Sequence, residues 1–352
     1  TADFVVSGDP SDSHDANPGN GVCADSQGRC SLRAAVQEAN ALGGPRRIAL
    51  SPRTYRLDQG EIEITGDIEI IGVGVGLSEI VSDGAFRIFD VAPGSSLTLR
   101  DLSLSGTERV PDGGGLVYNQ STLIVEDAML QNGHASSGGA LFNAAGATLE
   151  LRRVALVGNR ASGAGFGGAI TNQGSAALEN VLLTDNRANA GGAVYTAPLG
   201  ATVSLTLDHC TVVGNRTSSV GPGLFNSAFT SAPIATLRNT ILADNLATQE
   251  PTECWSQLLS AGGNIVNDDL DLCGFAVQPG DQLGVAPGLE AYLSTGDRMP
   301  TVLPTPSSAA IGAAIGDCPD TDLRGLVRDP ASCDVGAYRA ALGTTIFLDG
   351  FE

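Results

Sequence analysis

The chain contains no lysine: all 19 of its Lys and Arg positions are arginine, set against 39 Asp and Glu for a formal net charge of -20. Every mechanism that needs a lysine base is thereby excluded. Nucleic acid is disfavoured as a partner, because phosphate binding needs a basic face that outweighs the overall repulsion. Histidine occurs only as His14, His134 and His209, too scattered to suggest a metal cluster or a triad. Aromatic residues make up only 5% of the chain while glycine numbers 46, a profile of many short strands and tight turns. No apolar run is long enough to cross a membrane and no signal peptide remains, so the sequence reads as a mature exported form beginning at Thr1. In that setting an acidic surface favours solubility and a monomer.

What is present is a repeat. Between Gly113 and Asn245 one unit recurs about every 24 to 30 residues: Gly-Gly-Leu-Val-Tyr-Asn119, Gly-Gly-Ala-Leu-Phe-Asn143, Gly-Gly-Ala-Ile-Thr-Asn172, Gly-Gly-Ala-Val-Tyr-Thr196 and Gly-Pro-Gly-Leu-Phe-Asn226. A fixed period of this size marks a solenoid. The second half of each unit, as in Leu149-x-Leu151-x-x-Val154-x-Leu156-x-x-Asn159, alternates with a two-residue break, predicting two short strands joined at a corner with aliphatic side chains inward. One coil per repeat, stacked about 4.8 Å apart, is an all-β, single-stranded parallel β-helix, right-handed by the crossover rule. Asn132, Asn159, Asn186, Asn215 and Asn245 are expected to stack at one corner and Asn119, Asn143, Asn172 and Asn226 at another. Ser31 to Ala41 is the best helix candidate, with Ser31 as N-cap, placed to cover the open first coil.

Three cysteine pairs lie outside the repeat, Cys23/Cys30, Cys254/Cys273 and Cys318/Cys333, and predict short disulfides made in an oxidising compartment. Cys210 falls at the inward position held elsewhere by Val154 and Val181, a buried inert thiol. The chain divides into a cap at 1–45, coils at 46–250 and an irregular disulfide-containing segment at 251–352 that closes the far end, all within one structural domain.

Three stretches carry a resemblance. Gly19-Asn-Gly-Val-Cys23 through Cys30-Ser-Leu-Arg-Ala-Ala-Val-Gln-Glu-Ala-Asn40 resembles the CSLREA-type cap of secreted bacterial β-helix proteins, with Ala34 departing from that pattern. The repeats are similar to those of polymorphic outer-membrane proteins and pectate-lyase-like β-helices. Asp322-Leu-Arg-Gly-Leu-Val-Arg328 with Cys333-Asp-Val-Gly-Ala-Tyr338 resembles the C-terminal element of choice-of-anchor proteins, and Ile346-Phe-Leu-Asp-Gly-Phe-Glu352 resembles a tail on exported proteins of some Gram-negative bacteria. The resemblance implies a secreted or surface-associated β-helix; it carries over no catalytic residue.

Two files of side chains could meet a ligand. Tyr118, Phe142, Thr171, Tyr195 and Phe225 precede the first Asn of successive coils and should face outward, as a strip on which sugar rings stack or as a stack packed beneath a loop. Arg160, Arg187 and Arg216 follow the second Asn and could hold the carboxylates of an acidic polysaccharide, or pair locally with Asp. The weak catalytic candidates are Asp185 and Asp244, roughly 10 Å apart by strand spacing, with Arg187 as a demanding arginine base beside Asp185. Asp12, Asp15, Asn17, Asn20 and Asp25 offer hard oxygen ligands for calcium or form a metal-free polar loop. The expected function is binding of an extracellular polymer, a polysaccharide first of all, without chemistry of its own; the competing class is a polysaccharide lyase or glycoside hydrolase.

Overall fold

In a computed structural model, residues 2–6, 11–198, 203–227, 235–248, 252–268, 273–274, 276–294 and 299–340 are described. The closing stretch Ile346–Glu352 singled out above lies outside them. The architecture is an all-β parallel solenoid with, among the described residues, one helix. Every strand pairing within the stack is parallel and in register, so like residues of successive coils fall on one another: Leu123, Leu149, Ala176, Leu205 and Ala235 form one inward column, and Val125, Leu151, Leu178, Leu207 and Leu237 the next. These side chains are at most 2% exposed, so the core is a set of aliphatic columns running the length of the stack.

Besides the glycine line Gly114, Gly138, Gly167, Gly191 and Gly221, the coils turn through two further corners where the backbone goes left-handed. The first holds Asp101, Asp127, Arg153, Asn180, His209 and Asn239, with φ between 47 and 53°. The second holds Asn132, Gly158, Asp185, Gly214 and Asp244. Glycine, Asn and Asp tolerate this region best, which accounts for four of the six residues at the first corner and all five at the second.

The residue after the second corner is an asparagine whose amide ties one coil to the next. Asn159 Nδ2 donates to Asn186 Oδ1 at 2.9 Å, Asn186 Nδ2 to Asn215 Oδ1 at 2.9 Å, and Asn215 Nδ2 to Asn245 Oδ1 at 2.8 Å. The same oxygens accept the backbone N–H groups of Asn159, Asn186 and Asn215. Asn132 does not belong to this ladder, contrary to the sequence expectation. Gln131 pairs with Val157 and His134 with Arg160, so Asn132 occupies the left-handed position and Gly133 takes the ladder site, its N–H donating to Asn159 Oδ1 at 2.9 Å. At the other corner Asn119 donates to Asn143 and Asn143 to Asn172, both at 2.8 Å, before Thr196 interrupts the run.

The helix, Leu32–Leu42, packs over the first coil through Leu32, Ala35, Val36 and Ala39, and the Ser31 hydroxyl accepts the Ala34 N–H at 3.0 Å. Disulfides join Cys23 to Cys30, Cys254 to Cys273 and Cys318 to Cys333, as the spacing predicts. Cys210 is buried, and desolvation lifts its thiol well above the ordinary range. The described residues 285–294 and 299–340 run along the flank of the stack. Leu323, Ala337 and Tyr338 pack on Val75, Met129, Ala155, Leu182 and Val213, residues of successive coils. Arg328 donates to Asn180 Oδ1 at 2.8 Å, and the Ala337 N–H to Thr211 Oγ1 at 3.0 Å.

Two outcomes follow. Asn186→Ala strips the acceptor from two buried donors and should cost about 2–4 kcal/mol in urea unfolding, whereas Asp185→Asn next to it should cost less than about 0.5 kcal/mol. The ladder ends on Glu253, whose Oε2 accepts from Asn245 Nδ2 at 2.6 Å; burial pushes this carboxyl up from 4.5 to about 8. A raised acid pKa means the folded state holds the extra proton, so stability is full below about pH 4.5 and falls as pH rises toward 8, by on the order of 5 kcal/mol. Urea midpoints between pH 5 and 9 should show that decline, and Glu253→Gln should flatten it.

Candidate functional site

The aromatic file forms, in a geometry that decides what it can do. Tyr118 stacks on Phe142 with centroids 5.1 Å apart and planes at 17°. Where Thr171 leaves a gap, Phe166 reaches in from the preceding loop and stacks on Tyr195 at 4.6 Å, with Phe225 next at 5.3 Å. The loop is held there by Thr171 Oγ1, which donates to the Phe166 carbonyl at 2.8 Å. Trp255 continues the file in register with Phe225. Stacking along the coil axis turns ring faces toward one another and leaves edges for a ligand, and the Arg87 guanidinium covers Tyr118 at 5.0 Å. Gly113 backs Phe142 so closely that a Cβ would lie 2.4 Å from the ring, which explains the small residue there.

Arg160, Arg187 and Arg216 stand directly above one another on a separate short sheet, all exposed. Among the described residues none has a carboxylate oxygen within 4.0 Å. The contrast with the long face is sharp: there Arg47 and Arg100 share Glu69 at 2.5 and 2.9 Å, Arg153 holds Asp127 at 2.6 Å, and Arg238 holds Asp208. Three guanidinium groups one coil apart repel by about 1 kcal/mol per neighbouring pair even in water. The stripe extends further than the repeat indicates. His134 pairs in register with Arg160, and the Val110 N–H bonds the His134 carbonyl at 2.8 Å, which brings Arg109 to the same face. Burial, then the charges of Arg160 and Arg109, press the His134 pKa below its ordinary value. A shallow cavity of about 220 Å³ lies against this stripe, lined by Arg187, Arg216, Thr217, Ser218 and Leu246.

Asp185 and Asp244 sit at left-handed corner positions, exposed, alternating with Gly158 and Gly214. Backbone conformation accounts for their residue type, and Asp185 makes no ion pair with Arg187 within 4.0 Å. The oxygens of the N-terminal loop are engaged by donors of the protein itself. Asp12 takes Arg33 in a two-pronged bond at 2.7 and 2.9 Å plus the N–H groups of Asp58 and Gln59 at 2.8 Å. Asp15 accepts the N–H groups of Asn17 and Ala24, Asn20 that of Val22, and Asp25 those of Gln27 and Arg29. Asp12, Asp15 and Asp25 do not converge as a ligand set. His209, Cys318 and Cys333 do come together, but both sulfurs are committed to a disulfide.

Comparison with known protein families, with curated proteins and with solved structures gives no match for this chain. The class of protein is therefore the one its geometry defines, a disulfide-bearing parallel β-solenoid with one helix among its described residues.

Asp12→Asn should leave the buried Arg33 charge uncompensated and cost about 3–5 kcal/mol of stability. Calcium chelation should leave the melting temperature unchanged; a fall on chelation would mean that these oxygens hold an ion.

Proposed function

We propose that the protein is a secreted, right-handed solenoid of the pectate-lyase-like type that binds an acidic extracellular polysaccharide along the Arg109, Arg160, Arg187 and Arg216 stripe and does no chemistry on it. The single observation that carries the reading is an arginine ladder with no acidic partner among the described residues, on a chain of net charge -20. Free guanidinium groups in a line, one coil apart, suit a polymer that repeats its carboxylates along its own axis, since each can take a carboxylate in a two-pronged bond. The ring edges of Tyr118, Phe142, Tyr195 and Phe225 lie on the adjoining face and would serve as a flank. Three disulfides fit a location outside the cell or on its outer surface; among the described residues no helix is long and apolar enough to cross a membrane.

Binding to polygalacturonate, alginate and heparin tests it. The wild type should bind at least one of them and ignore neutral glycans. Arg187→Ala with Arg216→Ala should weaken that binding at least tenfold and shallow its salt dependence, and Tyr118→Ala with Tyr195→Ala should weaken it less. Unchanged affinity in the arginine double variant would discard the stripe. New reducing ends or unsaturated uronates would replace this reading with that of a lyase or hydrolase.

A further inference from the structure

The first left-handed corner is an anchor line for the C-terminal segment, and it can be followed coil by coil. Asn239 bonds Ile315 at both N–H and carbonyl, at 2.8 and 2.9 Å. His209 reaches Asp208 at 2.8 Å and meets Cys333 Sγ at 3.5 Å. Asn180 donates to the Thr321 carbonyl at 3.0 Å and accepts from Arg328. Arg153 and Asp127 satisfy each other at 2.6 and 2.7 Å. One coil further, Asp101 occupies the same position, and among the described residues its carboxylate has no hydrogen bond or ion pair. Its backbone is fixed, the carbonyl accepting from Gly74 at 2.8 Å and the N–H donating to Glu126 at 3.3 Å.

Asp101 borders a cavity of about 570 Å³ between the coil flank and the C-terminal segment. Its walls are mostly apolar: Val75 and Leu77 from the coils, Leu293, Met299, Leu323 and Leu326 from the segment. Among the described residues, the cations at or near the cavity, Arg324 in its lining included, are committed elsewhere. Arg324 is bound to the buried Asp322 and the Arg339 carbonyl, Arg153 to Asp127, and Arg100 to Glu69 and Glu126. The segment's wall is held in place by Asp322, which also accepts the Arg324 and Leu326 N–H groups at 2.8 and 3.1 Å, and by Tyr338, whose hydroxyl donates to the Pro300 carbonyl at 2.8 Å. The Asp322-to-Arg328 motif thereby acquires a role as one side of a preformed cavity.

We propose that this cavity binds a small organic cation, its ammonium group on the Asp101 carboxylate and its apolar body between Val75, Leu77, Leu293, Met299 and Leu326. A mostly apolar space bordered by an acid that has no partner among the described residues selects an amphiphile of positive charge, because an anion would meet Asp101 and Asp127 and a neutral molecule would leave the acid unpaired. The Asp101 carboxyl is already pushed above its ordinary pKa, by partial burial first and the Asp127 charge second, a cost that a bound ammonium would relieve.

Titration calorimetry with octylammonium, octanol and octanoate on the whole chain tests it. The wild type should bind one octylammonium, octanol at least tenfold more weakly, and octanoate not at all. Asp101→Asn, which keeps a residue suited to the left-handed corner, should weaken octylammonium at least tenfold, and Glu108→Gln, an exposed charge away from the cavity, should not. Leu326→Trp, at a position 41% exposed, should block entry and abolish binding even if Asp101→Asn does not fold. Equal affinity for octylammonium and octanol, equal affinity in wild type and Asp101→Asn, or no saturable binding would each overturn the proposal.

Discussion

The amide ladder through Asn159, Asn186, Asn215 and Asn245 is the contact on which the register of the stack depends. Each side chain is fully or nearly buried, and each must find its acceptor one coil away. A slip of one residue between coils would leave those donors unsatisfied and would also turn the aliphatic columns outward, since side chains alternate with a period of two. Hydrophobic burial rules out a slip of one residue but would tolerate a slip of two; the ladder supplies the alignment by fixing which residue meets which. Everything on the outer surface inherits it.

That inheritance makes the surface legible. Because coils stack in register, an outward residue type repeated in sequence becomes a line in space, and the lines differ in how they resolve their chemistry. Charges on the long face alternate in sign and neutralise one another across coils, as Arg100, Glu126, Asp208 and Arg238 do. Arginines on the short sheet do not alternate and, among the described residues, have no acidic neighbour within 4.0 Å. The aromatic file largely answers itself: Tyr118 stacks on Phe142 and Phe166 on Tyr195, Phe225 packs tilted against Tyr195, and Arg87 covers Tyr118.

Much of the fold could be read from the repeat, because period, inward alternation and corner asparagines are local signals. Disulfide pairing was equally legible, since the partners are only 7, 19 and 15 residues apart. What the repeat concealed has physical causes. Asn132 looks like a ladder residue by name, yet an offset of one residue in its coil makes it the left-handed one and gives the ladder site to Gly133. Phe166 fills the aromatic file from a loop outside the motif, and Trp255 continues it where the Gly-Gly signature has decayed. Arg109 and His134 join the arginine stripe through a bond between coils that no spacing displays. The C-terminal segment runs along the flank through contacts 76 to 148 residues apart, such as Asn239 with Ile315 and Arg328 with Asn180, and pairings of that range leave no local trace.

The central claim is that register-driven stacking produces one ligand-ready line, the arginine stripe, and that its ligand is an acidic polymer. Hydrogen exchange with mass spectrometry, comparing the free chain with the chain in polygalacturonate, alginate or heparin, tests this most directly. The account predicts added protection in the peptides carrying Arg160, Arg187 and Arg216, with weaker effects at Tyr118, Phe142, Tyr195 and Phe225, and none on the long charged face. Protection confined to the long face, or absent with all three polymers, would contradict it.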